Sequence, residues 1–145
     1  ALLGRLEAGS APAPARERHR AARRAVAFLL ENWDGDLSLA AVCAAVGASR
    51  RTLHEGFLEL YGLPPMAFLR CVRLCRARRR LESGGTVTSA ATRSGFDHLG
   101  RFAEAYRRHF GERPSETLRL AGELAGSRAT RSGRRAPLTG AVGSP

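Results

Sequence analysis

One short stretch of the sequence, SRRTLHEGF at residues 49–57, holds the side chains best suited to hydrogen-bond chemistry. If Leu53 faces a core, then Arg51, His54 and Glu55 point the other way at 100° per residue. An arginine in such a position can donate to the O6 and N7 atoms of guanine, and a glutamate can accept from the N4 atom of cytosine. The competing interpretation is a surface ion pair between Arg51 and Glu55, which lie four residues apart.

Catalytic and metal-binding patterns do not occur in this sequence. It has no paired-carboxylate pattern, no glycine-rich phosphate loop and no nucleophile with a base nearby in sequence. Cys71 and Cys75 lie four residues apart, as two metal ligands could, but no further Cys or His follows at a zinc-site spacing. We interpret both thiols as small apolar fillers against flanking helices. We therefore expect no enzyme activity, no metal and no cofactor.

The net charge indicates a polyanionic partner or a solubilising tail. All 24 basic residues are arginine, and 13 acids leave a formal charge of +11. Residues 22–121 hold 16 arginines and 10 acids, so about half of the excess belongs to the part predicted to fold. The run RARRR at residues 76–80 is expected to be a solvated helix face.

The expected location is the reducing cytoplasm, in association with the nucleoid. Three cysteines make no disulfide framework, and neither a signal-peptide pattern nor an apolar run of membrane-spanning length occurs. The sequence begins at Ala1 rather than at a methionine. We expect an effector ligand only if an N-terminal sensor domain exists outside this chain.

Between its terminal segments the sequence predicts only helices. Residues 1–15 are expected to be a linker or disordered, and residues 122–145 a disordered basic tail. Ser38 and Ser49 are predicted N-caps, and Gly47 and Gly62 are predicted helix ends. Apolar periodicity and these signals predict helices at 16–33, 39–46, 50–61 and 65–82, then helices starting near 86, near 98 and at 114.

The second half of the sequence repeats the first. YGLPPMAFLR at 61–70 and FGERPSETLR at 110–119 share aromatic-Gly-x-x-Pro-x-x-x-Leu-Arg at an offset of 49 residues. Each follows a short helix, a glycine turn and a longer helix, with Gly47 and Gly95 at the turns, where a positive φ is needed. The pattern predicts helix-turn-helix subdomains at 38–61 and 86–110, joined by a long linker helix at 65–82.

With both copies in view, the sequence resembles the DNA-binding domain of the AraC/XylS family of bacterial transcription regulators, over about residues 22–121. The matching segments are LSLAAVCAAVGASRRTLHEGF, GLPPMAFLRCVRLCRARRRL, TVTSAATRSGF and FGERPSETLR. The resemblance implies an all-α domain of about seven helices in two homeodomain-like bundles, with the second helix of each helix-turn-helix in a major groove. It implies a double-stranded promoter operator as partner, RNA polymerase as a further partner, and no membrane.

The resemblance also selects candidate contact residues. The family's base contacts fall on the positions of Arg51, His54 and Glu55, although Glu55 departs from the basic or amide residue that is common there. The base-contact candidates are Arg50, Arg51, His54, Glu55, His98, Leu99, Gly100, Ala103 and Glu104. The phosphate-contact candidates are Ser49, Thr52, Arg101, Arg107 and Arg108.

The second unit is expected to position the protein more than it specifies sequence. Its outward face has few long donors, and Ala90 and Ser94 stand where larger apolar residues are usual in the family. A linker helix over 65–82 is about 27 Å long, close to the roughly 34 Å between major grooves on one face of a duplex. The alternatives are a nonspecific nucleic-acid binder driven by Arg-rich tails and a helical protein-interaction module that has lost DNA binding.

Overall fold

The computed structural model describes residues 11–132, and this part of the chain contains seven helices and no strand. The all-α prediction is confirmed. The helices are α1 (Ala15–Glu31), α2 (Leu39–Val46), α3 (Arg50–Tyr61), α4 (Pro65–Glu82), α5 (Val87–Arg93), α6 (Leu99–Phe110) and α7 (Pro114–Ser132). The chain divides into two compact units, Ala1–Arg73 and Leu74–Pro145, and the boundary falls within α4.

Local capping explains where α2 and α3 begin and end. The Ser38 hydroxyl accepts from the N–H of Ala41, and the Ser49 hydroxyl accepts from the N–H of Thr52, each at 3.1 Å. Each hydroxyl thereby satisfies one of the N–H groups that a helix start leaves without a partner. Gly47 follows α2 with a φ of 65°, which an L side chain adopts only at a cost in energy. The predicted bounds of α2 and α3 are confirmed.

The first unit packs α1, α2, α3 and the start of α4 around one apolar cluster. Its central buried members are Ala22, Ala25, Leu29, Val42, Val46, Leu53, Phe57 and Leu69. Helix α1 lies so close to α3 that a Cβ at Gly56 would stand 2.3 Å from the carbonyl oxygen of Arg18. The packing of these two helices therefore requires glycine at position 56.

The second unit has an apolar cluster of its own and a buried polar chain. The cluster consists of Leu74, Ala77, Leu81, Ala90, Ala91, Phe102 and Tyr106. The Tyr106 and Thr117 hydroxyls are 2.8 Å apart, and Thr117 Oγ1 donates to Glu112 at 2.6 Å. Because Thr117 has a single hydroxyl proton, Tyr106 is the donor in the first bond. Burial raises the pKa of the Tyr106 phenol, so the hydroxyl keeps its proton.

Two predicted boundaries need correction. Helix α1 runs from Ala15 to Glu31 instead of 16–33, because Asn32 leaves the helical backbone conformation, with φ −117° and ψ 25°, and its side-chain amide donates to the Phe28 carbonyl. Residues 122–132 were expected in a disordered tail, but they continue α7. An ion pair of 2.6 Å between Arg119 and Glu123 supports that extension. The remaining parts of the predicted terminal segments, 1–10 and 133–145, lie outside the described residues.

Candidate nucleic-acid interface

Helix α3 presents a polar outer face and buries its apolar side. Leu53 and Phe57 are fully buried, whereas Arg50, Arg51 and His54 are exposed. This is the orientation that helical periodicity predicts when Leu53 faces the core. The four candidate base-contact residues of the first unit are thus brought together on α3, although Glu55 is only partly exposed.

Glu55 lies between two guanidinium groups. Arg51 Nε donates to Glu55 Oε1 at 2.9 Å, and Arg18 Nε of α1 lies 3.8 Å from the other carboxylate oxygen. The Arg51 side chain keeps 63% of its surface exposed, whereas Glu55 keeps 32%. The ion pair between Arg51 and Glu55, which was the alternative to base contact, is therefore present. It leaves the rest of the Arg51 guanidinium exposed to solvent.

A second acid of α3 connects it to α1. Glu59 accepts from Arg18 Nη2 at 2.6 Å and lies 2.8 Å from Nε2 of His19. The hydrogen bond from Arg18 lowers the pKa of the Glu59 carboxyl, with His19 adding to the effect. The same bond raises the pKa of the Arg18 guanidinium. Arg18 thus connects the helix–helix contact to the carboxylate beside Arg51.

Arg18 was not among the residues predicted from the sequence. Its partners lie 37 and 41 positions away along the chain, and nothing local to α1 indicates them. One signal was available, because Glu55 and Glu59 are four residues apart and form an acidic stripe on one side of α3. Such a stripe beside a packed helix favours a cation on that helix.

The start of α3 carries the two hydroxyl candidates for phosphate contact. Ser49 is exposed and Thr52 is half-buried, and their hydroxyl oxygens are 2.8 Å apart. The first N–H groups of a helix have no partner within the helix, and they carry a partial positive charge. The N-terminal end of α3 therefore has the chemistry that suits an anion.

Helix α6 matches α3 in length and register but not in side chains. Both have 12 residues, and every residue of α6 stands 49 positions after its counterpart in α3. Gly100 takes the place of Arg51, so the second unit has no long donor there. Glu104 pairs with Arg108 at 2.6 Å, and both side chains are exposed. Of the other α6 candidates, His98, Leu99, Arg101 and Arg107 are exposed and Ala103 is half-buried.

The described part of the chain shows neither a metal site nor a helix that could span a membrane, and one of its thiols is exposed. Within residues 11–132 no cluster of three His, Cys, Asp or Glu side chains could hold a metal ion. Cys43 is buried and Cys71 is half-buried, but Cys75 is exposed, so its interpretation as an apolar filler is wrong. None of the helices in this range combines the length and the apolar character needed to cross a bilayer.

Comparison with known proteins identifies the family to which this arrangement of helices belongs. A family model described as a helix-turn-helix domain matches residues 42–120, which is more than half of the chain. The crystal structure of a probable AraC family transcriptional regulator from Rhodopseudomonas palustris is 40% identical, with a TM-score of 0.65. The match covers 70% of this chain and 96% of that one. The chain belongs to the AraC family.

Two further proteins are similar to this chain. The probable thc operon regulatory protein of Rhodococcus erythropolis is 41% identical over 101 residues, which make up 67% of this chain and 30% of that protein. The DNA-binding domain of AdpA, a global transcriptional factor solved in complex with a target DNA, is 29% identical with a TM-score of 0.59. That match covers 80% of this chain and 96% of the solved one. The chain thus spans under a third of the length of the Rhodococcus relative.

Proposed function

We propose that this chain is the DNA-reading part of a sequence-specific transcription regulator, and that α3 and α6 enter successive major grooves. The observation that carries the proposal is the exposed Arg51 at the start of α3, held at its Nε by Glu55. The remaining guanidinium nitrogens can donate to a guanine edge. The solved AdpA domain, a related chain with target DNA, supports the same use of the fold.

Glu55 serves this proposal as an orienting group rather than as a base contact. One carboxylate oxygen of Glu55 already accepts from Arg51 Nε, the other faces Arg18, and the side chain is only 32% exposed, so it is poorly placed to reach cytosine N4. Fixing one edge of a guanidinium reduces the conformational freedom that Arg51 loses on binding. His54 and Arg50, which are exposed on the same helix, are the further base-contact candidates of the first unit.

In this proposal the second unit mainly orients the protein on the duplex. Arg101, Arg107 and Arg108 are exposed on α6 and are its candidates for contacts with phosphate. Such contacts fix orientation and register but carry no base information directly. The residues that would face base edges are His98, Leu99, Gly100, Ala103 and Glu104.

The test is an in vitro selection of binding sites from a random duplex library, using the full chain and its Arg51→Gln variant. We expect one enriched consensus with stronger base preference in the half bound by the first unit. The variant should lose about 1–3 kcal/mol of discrimination at one base pair and keep the others. Removing residues 133–145 should leave the consensus unchanged. If no sequence is enriched, the proposal is refuted and nonspecific binding is favoured. If the chain retards no duplex in a mobility-shift assay at low salt, a protein-interaction module is favoured.

The wider roles of a complete regulator belong to the same proposal. Recruitment or blocking of RNA polymerase at a promoter operator is the expected outcome of binding. Location at the nucleoid follows from binding to DNA. An effector ligand is proposed only for a chain in which a sensor domain accompanies these two units.

A further inference from the structure

A cationic groove runs along α1 beside the turn of the first helix-turn-helix. Its volume is about 530 Å³. One wall carries Arg16, Arg20 and Arg24 of α1, and the other wall includes Gly47 and Thr52. All three arginines are exposed. We call this feature the α1 groove.

We propose that the α1 groove is a phosphate-binding surface that holds the DNA strand beside the major groove entered by α3. This inference rests on the proposed function and adds to it a contact from outside the helix-turn-helix. The recognised chemistry is the phosphodiester backbone, so the contact is independent of base sequence. The three arginines lie upstream of the region matched by the helix-turn-helix family model.

The spacing of the arginines fits a polyanion. Residues four apart share one side of a helix, so Arg16, Arg20 and Arg24 form a stripe. The stripe spans about 12 Å along the helix axis at 1.5 Å per residue. One DNA strand carries about one phosphate per 3.4 Å of duplex axis, so a row of consecutive phosphates lies within the length of the stripe.

The position of the groove connects it to α3. The turn residue Gly47 and the first-turn residue Thr52 line it, so the groove opens at the end of α3 where the helix N–H groups favour an anion. Thr52 belongs to both features: it was selected as a phosphate candidate from the sequence, and it lines the wall opposite the arginines. A strand held by the arginines therefore runs past the start of the recognition helix.

One acidic residue reduces the positive charge of the α1 groove. Glu17 also lines it, so three guanidinium groups face one carboxylate and the lining keeps a net positive charge. A like charge opposes phosphate binding. Replacing Glu17 should consequently change the affinity for DNA in the direction opposite to replacing one of the arginines.

The experiment measures the salt dependence of DNA affinity for the full chain by fluorescence anisotropy. The probes are a labelled random-sequence duplex of about 30 base pairs, three helical turns, and the duplex obtained by selection. For Arg16→Gln/Arg20→Gln/Arg24→Gln, we expect the slope of log affinity against log salt to become shallower by about 2–3. Affinity should fall about fivefold per lost contact at 0.15 M salt, with the selected consensus unchanged.

Matched variants separate groove contacts from net charge. Arg20→Gln should change the slope by about 0.9, whereas Arg23→Gln should leave it unchanged, because Arg23 is exposed on the same helix but does not line the groove. Glu17→Gln should strengthen binding. Glutamine keeps helix propensity close to that of arginine, and circular dichroism of each variant checks that the helix content is retained. If the triple variant does not fold, the two single arginine variants decide the question.

The outcomes separate this proposal from the proposed function. An unchanged slope for both the triple variant and Arg20→Gln, or an equal loss with Arg23→Gln, overturns the α1 groove even when selection yields a consensus. A shallower slope on random duplex supports the groove even when selection yields none. In that second case the sequence-specific function fails while the phosphate contact stands.

Discussion

Replacing Ser94 by alanine should stabilise the second unit. The Ser94 side chain is fully buried, and among the described residues its hydroxyl oxygen has no hydrogen-bond partner. The corresponding position of the first unit, 48 residues earlier, is Val46, which is buried in an apolar cluster. The hydroxyl of Ser94 is therefore a polar atom at a site that the fold otherwise fills with hydrocarbon.

The size of the effect follows from what the substitution removes. A buried polar group without a partner costs about 1–3 kcal/mol, and alanine removes that group without adding volume. We take the lower end, about 1 kcal/mol, because the methylene contacts remain. For a unit of this size, such a gain raises the melting temperature by about 4–8 °C. Alanine suits the local backbone, since Ser94 has an ordinary φ of −104°.

The assay is thermal and urea unfolding of the full chain, followed by far-ultraviolet circular dichroism. Ser115→Ala is the matched control, because Ser115 is exposed in the same unit and its loss should change stability by less than about 0.5 kcal/mol. An unchanged or lower melting temperature for Ser94→Ala would refute the reasoning. It would mean that the hydroxyl has a partner in solution.

Three other substitutions test contacts described above. Gly56→Ala should destabilise the first unit by more than about 2 kcal/mol in urea unfolding, because its Cβ would meet the carbonyl oxygen of Arg18 at 2.3 Å. Glu59→Gln should lose less stability on acidification than the wild type. The lowered pKa of Glu59 gives stability that is present above its unfolded value and lost as the pH falls from about 5; parallel pH profiles would contradict this. Tyr106→Phe should cost about 0.5–1.5 kcal/mol by removing the bond to Thr117, and an unchanged unfolding midpoint would count against that bond.

The parts of the fold that were predictable from the sequence are those fixed by local signals. Ser38, Gly47, Ser49 and Gly62 each act within a few residues, and they set the ends of α2 and α3 at the predicted positions. The extension of α7 through Ser132 lacked such a signal. Residues 122–131 are exposed on every side and therefore show no apolar stripe, although the ion pair between Arg119 and Glu123 supports the extension.

The candidate site also contains residues that local signals predict and one residue that depends on the packing of distant helices. Periodicity alone located the outer face of α3, because Leu53 and Phe57 bury the opposite side. The sequence also indicated the pair between Arg51 and Glu55, which is local to one helix. The contribution of Arg18 depends on how α1 packs against α3, and no window of the sequence contains both partners. The cost of closing such long loops is met by packing of the whole unit.

Helix α1 packs against the backbone of α3 at position 56 and contacts Glu55 and Glu59 through Arg18, whereas Arg51 and His54 are exposed. Positions 51 and 54 are thus mutable separately from the packing of the two helices. A library randomised at positions 51 and 54, with glycine held at 56, should contain folded members across nearly all combinations. The base preference of the protein can then change through substitutions at these two positions while the first unit stays folded.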